Sequence, residues 1–215
     1  MFKYKIISSG SSGNAILLDN GILLDCGVPF KLIQPYLHKI KAVFLSHCHH
    51  DHMNLSTIKK IHELRPTVRF IVGFWLKEYL LSSKINSAQI DIVEHGKVYN
   101  YKSFKVLPFI LIHDVKNYGI KIIDMQAKQK IIYAVDTNRI DHISAKDFDL
   151  YLIEGNYDED KLEENIKSDT EKGLFSYGMR VKNTHLSVQK ASEWLMDNMG
   201  ANSYYEFIHQ SANNL

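Results

Sequence analysis

The 215-residue chain is 45% apolar and 23% charged, a composition that supports a packed core and excludes a disordered or fibrous polymer. Its 26 basic and 24 acidic side chains leave a formal charge of +2, so no general field draws it to long nucleic acid or to an anionic membrane. Two cysteines, Cys26 and Cys48, are too few for a disulfide framework and imply a reducing, cytoplasmic setting; no long apolar run suggests a signal or membrane segment.

Strand-like runs open the chain at Tyr4–Ile7, Ala15–Leu18 and Gly21–Asp25, and the Asn20-Gly21 step between the last two is a hairpin signal. Ala42–Ser46 is apolar throughout, as a strand buried on both faces would be. A helix is expected from Asn54 to Leu64, with Asn54 or Ser56 as cap and Pro66 as stop, then a strand at Arg69–Gly73 and a helix over Phe74–Ser83. Further strands fit Asp91–Val93, Phe104–Ile112, Tyr118–Ile123, Ile131–Ala134 and Leu150–Ile153. Asp158–Glu171 reads as an acidic, solvated helix face, and Ser187 caps a helix to Met196 before a last strand at Tyr204–Ile208. About ten strands with helices between them, and no linker or repeat, make one layered α/β domain over residues 1–215.

The chemistry is concentrated in Ser46–His52, with sequence S-H-C-H-H-D-H, directly after a buried strand. In extended backbone, side chains two apart point the same way, so His47 and His49 form a pincer at the strand end while Cys48 points into the core. Asp51 and His52 follow where the chain turns into the helix, within reach of a second position nearby. Imidazole and carboxylate together suit Zn²⁺, with Mn²⁺ or Fe as alternatives.

This H-x-H-x-D-H pattern resembles the metallo-β-lactamase superfamily, whose fold is a four-layer αββα sandwich with its metals at one edge of the two sheets. Asp25 in ILLDCG looks like that family's supporting carboxylate, which is not a ligand. His113 in LPFILIHD, Asp136 in IIYAVDTN and His209 in YYEFIHQ look like its remaining ligands. The resemblance implies two divalent ions, Zn²⁺ or Mn²⁺, one on His47, His49, His113 and Asp136 and the other on Asp51, His52, Asp136 and His209. Independently of the motif, each ligand outside the first cluster ends a predicted strand, where a site at a sheet edge needs it.

SSGSSGNA, LLDCG, LSHCHHDH, LIEGNYD and THLS, in that order, resemble the compact ribonuclease Z/YycJ-like branch, which also contains phage enzymes that hydrolyse cyclic nucleotides. In that branch a Glu and a His corresponding to Glu154 and His185 pair so that the imidazole protonates the leaving oxygen; His185 could instead replace His209 as ligand. The resemblance thus implies a phosphodiesterase with Asp51, His185 and Glu154 as catalytic residues. The near-neutral charge, the presence of only four arginines and the lack of a long Gly/Pro-rich arm favour small or cyclic nucleotides. The alternatives are an exonuclease on single-stranded DNA or RNA, a thioester or lactone hydrolase, and a non-catalytic metal-binding protein. The Ser8–Asn14 loop, through Ser11 and Asn14, and a flap at Lys172–Asn183 with Phe175, Tyr177 and Arg180, are expected to bind substrate. By the same resemblance the protein is expected to be a homodimer, with no membrane partner.

Overall fold

The protein is represented by a computed structural model that describes residues 3–174 and 177–211. The first sheet runs in the order β1 (Tyr4–Ser8), β2 (Ala15–Leu18), β3 (Ile22–Leu24), β4 (Ala42–Leu45), β5 (Arg69–Gly73) and β6 (Ile90–Val93). Its first three strands are antiparallel and the rest parallel. Its connections carry α1 (Phe30–Ile33), α2 (Leu55–Leu64) and α3 (Lys77–Ser82).

The second sheet comprises β7 (Tyr99–Asn100), β8 (Phe104–Leu111), β9 (Asn117–Asp124), β10 (Gln129–Ala134), β11 (Leu150–Glu154) and β12 (Tyr204–Ile208). It is antiparallel from β7 to β10 and parallel from β10 to β12. Helices α4 (Glu159–Glu171), α5 (Tyr177–Thr184) and α6 (Val188–Asn198) lie between β11 and β12 in sequence.

The layers follow from the two-residue period of a strand. Ile16, Leu18, Leu24, Phe44 and Ile71 face Ile120, Ile122, Tyr133 and Leu152 between the sheets. Their sequence neighbours Leu17, Leu23, Val43, Leu45, Phe70 and Val72 point the other way, onto Ile33, Ile58, Ile61, Leu76 and Leu80 of the first helical layer. On the far side, Ile132, Ala134, Tyr151 and Ile153 meet Leu186, Ala191, Trp194 and Leu195. Strands covered on both faces must be apolar at every position, which is why they read as unbroken hydrophobic runs. The result is the expected αββα sandwich. Among the described residues no helix is long and apolar enough to cross a membrane.

Three local differences from the sequence reading have physical causes. Phe74–Ser83 begins as a 3-10 turn over Phe74–Leu76 before α3. Phe30–Lys39 forms α1 and a 3-10 turn, elements too short to show a period. The expected flap loop is largely helical: α5 covers Tyr177–Thr184 and packs Val181 with Tyr157 and Leu162, whereas Phe175 lies outside the described residues.

Candidate active site

Strands β4, β8, β10 and β12 run in the direction that brings their carboxyl ends to one edge, and the candidate residues follow those ends. The 46–52 loop is fastened there by backbone bonds. The amides of Cys26 and Asn14 donate to the carbonyls of His52 and Asp51 at 2.9 and 2.7 Å. Residue 27 has to be glycine: a Cβ there would lie 1.7 Å from the Asp51 carbonyl oxygen. Asn54 then caps α2, accepting from the Thr57 amide at 3.1 Å.

Beneath the loop, fully buried Asp25 fixes the ring orientations. It accepts from the Ser46 amide at 2.8 Å, the Ser46 hydroxyl at 2.9 Å, the Tyr133 hydroxyl at 2.6 Å and His52 Nδ1 at 2.6 Å. With its hydrogen given to Asp25, the Ser46 oxygen accepts from His47 Nδ1 at 2.9 Å. His113 Nδ1 donates to the Thr184 carbonyl at 3.0 Å. In each ring this turns Nε2 toward the cluster, the nitrogen that a metal ion would take.

Two groups of donor atoms result, His47, His49, His113 and Asp136, and Asp51, His52, Asp136 and His209, each with its atoms within 4.8 Å of one another. Asp136 belongs to both, with its Oδ2 2.8 Å from His52 Nε2 and 3.2 Å from His47 Nε2. Buried His47 Nε2 and Asp136 Oδ1 nevertheless make no hydrogen bond among the described residues. Buried polar atoms left this way are costly unless another partner takes them, and a nitrogen–oxygen set of this kind fits a divalent ion such as Zn²⁺ or Mn²⁺. Asp25, Asp136 and His209 also have left-handed backbone, with φ of 57°, 53° and 53°. Strain of that type in non-glycine residues gathers at functional sites.

The electrostatics are correspondingly polarised. Burial pushes His47 down to about 4, with the neighbouring His52 charge adding to it. Burial also opposes the charged forms of Asp136 and His52, but their mutual attraction wins, holding the carboxyl far below its usual range and raising the imidazole. His209 is lifted to about 9: burial works against this, but the Asp136 charge and the hydrogen bond to Asp51 prevail.

A third group joins Asp136 to Glu154, His185 and His209. His185 Nδ1 lies 2.7 Å from Glu154 Oε1 and 3.1 Å from Asp136 Oδ1, and its ring stacks on His209 at 5.3 Å. Glu154 is held in turn by the Thr137 and Leu186 amides at 2.9 and 3.2 Å. Both His185 and His209 are therefore at the site, and His209 alone also reaches Asp51, at 3.3 Å.

The expected substrate contacts are placed differently. Asn14 is only 3% exposed; its amide closes the Gly10–Asn14 turn and reaches the Asp51 carbonyl at 3.2 Å, so it positions the loop from behind. Ser11 is exposed on that turn. Exposed Arg180 on α5 reaches over the rim to Asp114 at 3.5 Å, and Tyr177 is exposed at the start of the same helix. Sequence reasoning overlooked Asp114, whose Oδ1 is 3.1 Å from His113 Nε2 and 3.4 Å from His49 Nε2. Its signal was the His-Asp step at the end of the β8 run.

A model of the β-lactamase superfamily domain matches residues 20–209. The chain is 26% identical to exodeoxyribonuclease WalJ of Streptococcus pneumoniae, over 93% of this chain and 77% of that protein. The metallo-β-lactamase fold protein YhfI from Bacillus subtilis superposes with a TM-score of 0.74 at 17% identity, over 98% of this chain and 87% of that one. The short form of human tRNase Z gives 0.72 at 14%, over 99% and 93%. A diphosphatase of the PhnP family gives 0.68 at 15%, over 100% and 88%.

Proposed function

Because the chain belongs to the metallo-β-lactamase superfamily, we propose that it is a metal-dependent phosphodiesterase acting on small or cyclic nucleotides. The observation that carries this reading is the His185–Glu154 pair, 2.7 Å apart and set against the shared Asp136. Expelling a nucleotide alkoxide at neutral pH needs a general acid, whereas a thiolate leaves without one. Bound at the two donor groups, the ions would supply Lewis acidity, lowering the pKa of water to about 7 and neutralising phosphoryl oxygens.

The side chains do the rest. Glu154 holds the His185 ring through Nδ1, leaving Nε2 to hand its proton to the leaving oxygen. Burial works against a charged imidazole, but the Asp136 carboxylate 3.1 Å away and the hydrogen bond to Glu154 raise His185 to about 10. Asp51 orients the attacking water; its carboxylate is kept ionised, against the effect of burial, by hydrogen bonds from His209 and His52. Arg180, on the rim, pairs with a phosphate once it leaves Asp114.

A balanced charge and four arginines favour a short substrate. The likeness to WalJ favours a second reading, an exonuclease on single-stranded DNA. The same proposal takes residues 1–215 as one cytoplasmic hydrolase domain that forms a homodimer, which light scattering checks. The deciding experiment is a hydrolysis panel on Zn²⁺- or Mn²⁺-loaded protein, with Asp136→Ala as blank. Cleavage of 3′,5′-cyclic nucleotides with polymers intact is the expected result. Stepwise shortening of polymers with cyclic nucleotides untouched supports the second reading, and no cleavage of either overturns both.

A further inference from the structure

Beside the metal cluster lies an aromatic step that none of the chemistry above uses. In the β4–β5 register Leu45 pairs with Val72 at the end of β4, and β5 runs one residue further, to Gly73, before Phe74 opens a 3-10 turn. Adjacent strands are about 4.8 Å apart, so β5 ends beside the point where the histidine loop leaves β4. Phe74 is nevertheless 59% exposed, although it follows a buried strand and precedes buried Leu76. Its neighbour Trp75 fixes it from behind. The Trp75 ring covers Gly73, where a Cβ would come within 2.3 Å of it, and packs edge-on against Phe74 at 5.5 Å and Tyr118 at 4.5 Å. Tyr118 in turn donates its amide to the Ser46 carbonyl at 3.2 Å, tying the aromatic row to the histidine loop.

The cation comes from the opposite sheet. Lys116 sits two residues past Asp114, which touches His113 and His49, and its Nζ lies 4.7 Å from the Phe74 ring centroid. Among the described residues Lys116 has no carboxylate within 4 Å, so an exposed cation–π contact is what holds it there. That contact is weaker than the stacking of a nucleobase on an aromatic face.

We propose that Phe74 and Lys116 form the base-recognition subsite: a nucleobase stacks on the Phe74 ring and displaces the Lys116 ammonium, which pairs with the adjoining phosphate. This rests on the phosphodiesterase reading, and it makes Phe74 a specificity residue that is tolerant of base identity, because stacking does not read hydrogen-bond edges.

The test compares two esters with the same leaving group, thymidine 5′-(p-nitrophenyl phosphate) and methyl p-nitrophenyl phosphate. Phe74→Ala is expected to lower the ratio of their kcat/KM values by roughly tenfold, and Phe74→Tyr to keep it. Lys116→Met is expected to raise KM for the nucleoside ester more than it lowers kcat. An unchanged ratio in Phe74→Ala overturns the subsite. Should neither ester be cleaved, the phosphodiesterase reading fails, and binding still decides the subsite. In a Trp194→Phe background, thymidine 5′-monophosphate is expected to change Trp75 fluorescence where inorganic phosphate does not, and Phe74→Ala to abolish the change. No change with the nucleotide, or an equal change in Phe74→Ala, overturns it.

Discussion

At the residue scale, two buried carboxylates divide the work by what they touch. Asp25 is saturated with donors and, among the described residues, reaches the cluster only through His52 and Ser46. Asp25→Asn is therefore expected to weaken metal binding by roughly 10–100-fold, read by equilibrium dialysis against a competing chelator, since groups that orient ligands through the second ring nitrogen typically matter that much. Glu154 instead serves His185. His185→Gln is expected to slow cleavage of an alkoxide-leaving substrate by about 10²–10⁴-fold while a p-nitrophenyl ester suffers far less. Equal losses on both would make His185 a structural or metal-binding residue. The His47–His52 cluster was legible as a candidate metal site because four histidines crowd six positions after a core strand. Asp114, on the rim, was overlooked because one carboxylate in a loop carries no periodic signal and only the His-Asp step marked it.

At the scale of elements, the site depends on how closely two loops approach. The turn after β3 passes under the loop after β4 with room for no side chain at Gly27. Gly27→Ala is expected to cost about 1–3 kcal/mol, as overpacking does, and to lower bound metal along with Tm because the atom displaced is the Asp51 carbonyl. Calorimetry with metal analysis checks both. Every strand but the two-residue β7 was readable from its run of residues, and α2 and α6 from Asn54 and Ser187, whose side chains accept from Thr57 and Lys190 amides. Helix α5 was hidden by its Gly-Met-Arg-Val sequence. It becomes helical through packing on α4, where Gly178 admits Ile166.

At the scale of the molecule, the donors come from both sheets: His47, His49, Asp51 and His52 from the first, His113, Asp136 and His209 from the second. An ion bound there would clamp the sandwich, and chelation is expected to lower Tm by about 5–10 °C, restored by Zn²⁺ or Mn²⁺, where free metal stands about 100-fold above its Kd. The sheet edges are also joined directly, by the Tyr4 hydroxyl donating to Glu206 at 2.9 Å. Burial first, and then Glu206, push that hydroxyl from 10.0 up to about 12. A folded value above the unfolded one means its contribution is whole below pH 10.0 and is lost as pH rises toward about 12. Tyr4→Phe is expected to flatten the fall in the urea midpoint across that window; an identical fall in both proteins would discount the contact. By itself the sequence determined a layered α/β domain, most elements along the chain and the residue types at the candidate site, because burial on both faces and a donor set suited to a metal each impose a local pattern. Only the tertiary structure decided that Asn14 turns inward, that Asp114 joins the rim and that Phe74 and Lys116 meet. Those pairings join segments far apart in sequence, and their geometry is set by how the two sheets pack.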